Sequence, residues 1–104
     1  MTEQTYTLKK GDAKAVEKVI FDENLHYLHL ILPKDDGLPE HFSNSNVYMT
    51  VIRGTLSIRL GEEEACEYPE GTLVRIPVGT KMNIRNFSEA ALELIIVKAP
   101  APRG

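Results

Sequence analysis

The sequence predicts an all-β domain of short antiparallel strands closed into a sandwich or barrel, and three observations carry that prediction. Glycine and proline recur at close intervals, at Gly37, Pro39, Gly54, Gly61, Pro69, Gly71, Pro77 and Gly79. The runs between them are a few residues long and rich in apolar and β-branched side chains. Where a run alternates, as SIRL does from Ser57 to Leu60, polar and apolar side chains take turns. That is the period of a strand with one buried face.

Taken in order, residues 12–20 (DAKAVEKVI) read as an edge strand. Ala15, Val16, Val19 and Ile20 also fit helical spacing with Asp12 as N-cap, so helix and strand both stand at this point. Residues 25–32 (LHYLHLIL) form a strand that ends in the turn-rich PKDDG. Residues 46–53 and Thr55–Leu60 are strands joined tightly at Gly54, and Glu62 to Glu64 make a solvated hairpin tip. Leu73–Ile76 and residues 82–85 pair across the turn Pro77-Val78-Gly79-Thr80. The nearly all-apolar residues 91–97 (ALELIIV) are expected to be a last strand buried on both faces. Residues 99–104 (APAPRG) are an extended tail, expected to be mobile.

With 104 residues the chain is expected to be one domain spanning 1–104. A chain of this size buries roughly 60–70 % of its unfolded surface, enough for an independent core. The formal charge of −3 comes with scattered Lys and Arg and no basic stripe, which argues against nucleic-acid binding. No apolar run has the length of a membrane span, and the first residues, MTEQTYTLKK, lack a signal-peptide core. Cys66 is the single cysteine, so no internal disulfide forms, and the expected location is the cytoplasm. Carboxylates flank Cys66 in EEEACEYPE and disfavour a thiolate. It reads as a small core residue, not a nucleophile.

Two segments carry the chemistry. Residues 37–54 contain Pro39-Glu40-His41-Phe42-Ser43, then Asn46, then Gly54. Residues 71–86 place Gly71, Pro77, Gly79, Met82 and Asn86 in the frame Gly, five residues, Pro, one residue, Gly, two residues, Met, three residues, Asn. Residues two apart on a strand share a face, so His41 and Ser43 are expected on one side of one strand. Met82 starts a strand that can face them across the Pro77–Gly79 reversal. Four side chains from three strands, His41, Ser43, Asn46 and Met82, are thereby expected to converge in a barrel mouth. Such mouths commonly hold small molecules.

The two segments resemble the paired motifs of the cupins, small double-stranded β-helix or jelly-roll barrels. The resemblance covers about half the chain directly, with every spacing of the second motif kept. It implies a cupin-like barrel, commonly a homodimer, whose site would hold a metal through three imidazoles and a carboxylate. Here the matching positions read His41, Ser43, Asn46 and Met82. One imidazole, one hydroxyl, one amide and one thioether share no metal preference, so the expectation is no metal and no cofactor. Should a divalent metal bind, His41 and His29 are the plausible ligands; His26 and His29 lie three apart and face opposite sides of their strand.

Blander readings apply to the same residues. Ser43-Asn44-Ser45-Asn46 can be a loop that caps its own backbone. Met82 either lines the pocket or fills core, and Asn86 is expected to tie down backbone near its turn. The expected function is therefore a metal-free cupin-like barrel that binds a small molecule through His41, Ser43, Asn46 and Met82, as a sensory or accessory module. The alternative is a cupin-type enzyme, a dioxygenase, isomerase or epimerase, with an unusual metal site or with His41 as general base. A third role is a purely structural dimer built on residues 25–32 and 91–97. No nucleic acid and no membrane are expected as partners.

Overall fold

The apolar runs between turn residues become strands in the computed structural model, which describes residues 2–103. They are β1 (Ala15–Phe21), β2 (His26–Leu32), β3 (His41–Phe42), β4 (Val47–Arg53), β5 (Thr55–Leu60), β6 (Cys66–Pro69), β7 (Leu73–Ile76), β8 (Lys81–Arg85) and β9 (Leu92–Lys98). All pairings are antiparallel. One sheet runs β1-β2-β9-β4-β7 and the other β3-β8-β5-β6. Inward residues of both sheets, including Leu30, Leu32, Met49, Leu56, Ile84 and Leu94, form one core.

Residues 15–20 of the ambiguous segment resolve as strand. A bulge between Lys18 and Ile20 shifts the β1–β2 register. An extra residue breaks the two-residue alternation, which explains why the apolar positions imitate a helical period. Two expectations are corrected. β9 is not buried on both faces: Leu92, Leu94 and Ile96 are buried while Glu93, Ile95 and Val97 are half-buried, the alternation of a strand that covers one core. Cys66 is exposed on β6, not in the core. β6 is the outer strand of its sheet, and all its residues but half-buried Tyr68 are exposed.

The corners explain why the frame needs its glycines. Gly54, Gly71 and Gly79 adopt φ of 82°, 88° and 82°. Gly54 carries a second constraint, because a Cβ there would lie 2.5 Å from the Ala91 carbonyl oxygen and 2.9 Å from the Leu92 Cα. Both are backbone atoms that cannot swing away. Gly54→Ala is expected to lower stability by about 2 kcal/mol, from left-handed strain plus displacement of the start of β9. Gly71→Ala is the control: the same strain with open space around the new methyl, hence a smaller loss in urea unfolding. Equal losses at the two sites would show that the β9 contact costs nothing.

The tail begins under restraint. The Ala99 N–H donates to the Asn46 carbonyl at 3.1 Å, and the Ser45 hydroxyl donates to the Pro100 carbonyl. Among the described residues no helix is long and apolar enough to cross a membrane.

Candidate functional site

Between the two sheets, at one end of the barrel, lies a cavity of about 80 Å³. Leu28 and Leu30 of β2, Met49 of β4, Met82 and Ile84 of β8 and Ile96 of β9 supply much of its wall. Among the described residues that line it, two have polar side chains, His41 of β3 and Lys98 of β9.

His41 and Met82 are directly paired across β3 and β8. His41 is half-buried and its Nδ1 lies 2.9 Å from the Pro39 carbonyl oxygen. A carbonyl only accepts, so Nδ1 carries the proton and Nε2 of the neutral ring is a free acceptor. Met82 is buried and reaches both the core and the cavity, so filling and lining are one role for it.

Ser43 and Asn46 are placed elsewhere. β3 stops at Phe42, so Ser43 lies one residue beyond the strand, and it is not among the residues that line the cavity. Its hydroxyl donates to the Pro77 carbonyl at 2.7 Å and accepts from the Thr80 N–H at 2.9 Å. Its backbone N–H donates to the Thr80 carbonyl and its carbonyl accepts from the Gly79 N–H, both at 2.8 Å. Ser43 is thus a staple on the β7–β8 turn. Asn46 lines a separate open cleft with Ser45, Val78, Pro100 and Arg103. Of the four residues expected to converge, the structure brings together His41 and Met82.

His29 and His26 do not line the cavity either. Leu28, Leu30 and Leu32 take the inward positions of β2, and His29 lies on the opposite face. It is nevertheless 0 % exposed. Nδ1 sits 2.6 Å from Glu17 Oε1 on β1, and Nε2 sits 2.5 Å from Glu93 Oε2 on β9. Two ionised carboxylates offer only acceptors, so both contacts are hydrogen bonds in the imidazolium form. Glu93 also accepts from Arg53 Nε at 2.8 Å, and Arg53 reaches Asp12 at 2.7 Å and the Gly11 carbonyl. Hydrogen bonds to Asp12 and Glu93 raise the Arg53 pKa above its ordinary value. The Lys9 N–H donates to Glu17 at 2.9 Å. The cluster therefore ties residues 9–12 to the outer face of the five-stranded sheet. His26 is stacked on the Phe21 ring, centroids 3.7 Å apart.

A metal of the kind the cupin motifs imply does not fit these residues. The Ser43 hydroxyl is committed to two backbone groups, Asn46 faces another cleft, and both nitrogens of His29 are taken by carboxylates. His41 and the Met82 thioether remain, one borderline and one soft donor. Among the described residues no three His, Cys, Asp or Glu side chains are grouped to hold a metal ion. Glu40 does not orient His41; its carboxylate lies 3.5 Å from Lys81.

Lys98 escaped the sequence reading. Its signal was present: Leu92, Leu94, Ile96 and Lys98 share one parity of β9, and the last of them is charged. Reading residues 91–97 as a nearly all-apolar strand ended it one residue early. Two further polar residues near these strands, Tyr48 and Arg85, do not line the cavity: Arg75 stacks over the Tyr48 ring, and Arg85 lies over Phe87. Asn86 is fully buried and ties down backbone at its turn, donating to the Leu32 and Ala90 carbonyls and accepting from the Ser88 N–H, each at 2.9 Å.

No protein-family model matches the chain. An uncharacterized protein of Methanocaldococcus jannaschii, MJ0764, is 36 % identical over 99 % of this chain and 90 % of its own length. The crystal structure of MJ0764, described as an RmlC-like cupin family protein with a double-stranded β-helix fold, superposes with a TM-score of 0.95. It covers 98 % of this chain and 94 % of that one, at 37 % identity. TT1209 of Thermus thermophilus shares 23 % identity and a TM-score of 0.77, covering 92 % and 91 % of the two chains. A cupin superfamily protein of Desulfitobacterium hafniense, DSY2733, reaches a TM-score of 0.76 at 5 % identity, covering 89 % and 83 %.

Proposed function

The chain belongs to the RmlC-like cupin family, and we propose that its barrel binds a small, mainly aliphatic molecule without a metal. The observation that supports this is the cavity itself, apolar except for His41 and Lys98. An apolar cavity of about 150 Å³ takes benzene. At about 80 Å³ the interior suits roughly three or four carbons, with a polar end of the ligand left at the mouth. At the efficiency ceiling of about 1.5 kcal/mol per non-hydrogen atom, a ligand of about six such atoms binds at best with a Kd of about 0.3 µM.

Val16 provides the test, because it lines the cavity from the barrel edge while 53 % exposed. Val16→Trp is expected to obstruct the mouth with little cost to folding. Methyl NMR titration with short aliphatic compounds should show saturable shifts at Met49, Met82 and Ile96 in the unmodified protein. Binding should weaken at least tenfold in the variant. Shifts that are absent, or that Val16→Trp leaves unchanged, would remove the cavity as the site.

A further inference from the structure

We propose that Lys98 is the recognition group of this cavity and that the ligand class is a short-chain aliphatic carboxylate. The inference rests on the reading that the cavity is a binding site. Lys98 continues the inward parity of Leu92, Leu94 and Ile96, so its stem follows the core residues to the barrel end. It pairs across the sheet with Val47 on one side and His26 on the other. Lys14, Lys34 and Lys81 each lie within 4 Å of a carboxylate oxygen. Among the described residues Lys98 has no such partner, although it lines the cavity and is partly buried.

An ammonium set against an apolar wall with no anion beside it loses water without compensation. Burial accordingly lowers the Lys98 pKa from its ordinary value. A ligand that places an alkyl chain against Leu28, Met49 and Ile96 and a carboxylate at the mouth supplies the missing charge. His41 provides a second polar contact from the opposite sheet, as a donor when its ring is protonated. Neutral ligands of the same length meet the wall equally well but leave the ammonium unpaired. Discrimination by charge, not by size, is the signature of this site.

Butanoate and 1-butanol, matched in carbon number, test it by NMR titration of the full chain at neutral pH. Butanoate is expected to bind at least tenfold tighter than 1-butanol, the ratio expected of one charge-assisted contact. Binding should raise the Lys98 pKa, followed through its Cε resonance. Lys98→Met should remove the preference, and Lys98→Arg should keep it. Equal affinity for acid and alcohol, or a preference that survives Lys98→Met, overturns the assignment and leaves the cavity reading intact. Failure of both compounds to bind overturns the two together.

Discussion

Replacing His29 by alanine is expected to destabilise the protein by on the order of 3 kcal/mol and to release residues 9–12 from the sheet. The ring is fully buried between β1 and β9, with a carboxylate on each nitrogen. Its removal leaves a void and two like charges with their shared partner gone. Breaking a buried pair costs about 3–5 kcal/mol, and the lower end applies because Glu17 and Glu93 keep some access to water. Urea unfolding gives the magnitude. Hydrogen exchange at the Lys9 amide, which donates to Glu17, reports the release. His29→Gln, which can still donate to one carboxylate, should fall between. A loss below about 0.5 kcal/mol for His29→Ala, the range of an ordinary surface substitution, would show that the cluster holds nothing.

The same cluster sets an acid limit. The Lys9 amide first, and then His29, hold Glu17 below its ordinary value of 4.5. Burial, the largest single influence on Glu93, pushes it up, but hydrogen bonds from His29 and Arg53 outweigh burial and leave it lowered as well. Carboxyls lowered on folding bind fewer protons in the folded state than in the unfolded chain. Their contribution is complete above about pH 4.5 and is lost as pH falls through the lowered values. Stability measured from neutral pH downward should therefore drop more steeply below about pH 4.5. The Glu17→Gln, Glu93→Gln double variant should flatten that part of the curve.

The second large effect is expected at Asn86. Asn86→Ala should cost about 3 kcal/mol in urea unfolding, because it removes both donors from the Leu32 and Ala90 carbonyls and the acceptor from Ser88. Each buried group left without a partner costs about 1–3 kcal/mol. Asn86→Asp is a sharper probe, since it keeps the shape and the acceptor but turns oxygen towards two carbonyls. It should be at least as damaging as alanine. A loss under about 1 kcal/mol for either variant would mean that the three bonds exchange with water freely.

Much of the barrel was legible because its signals are local. Gly54, Gly71 and Gly79 need left-handed backbone, and Asn86 bonds Ala90 and Ser88 within its own turn, so spacing identifies them, although the Asn86 bond to Leu32 is long-range. The parity of Leu56 and Ile58, or of Leu92, Leu94 and Ile96, is likewise written along a single strand. Site residues were read less well. Ser43 kept its place in the motif, but its hydroxyl is taken by Pro77 and Thr80 of the β7–β8 turn, partners 34 and 37 positions away that spacing does not show. Lys98 was passed over because charge at the end of an apolar strand resembles ordinary solvent exposure.

Residue type and near-neighbour spacing were enough for the all-β class and for the strands and their corners. Three-dimensional packing was needed to enclose His29 between Glu17 and Glu93, to turn Ser43 onto a turn, and to bring His41 and Lys98 to one cavity. The partners in those contacts lie on different elements, 12 and 64 positions away for His29 and 34 for Ser43. Which side chain fills which space depends on the register between strands, and register is set when the two sheets close on a common core.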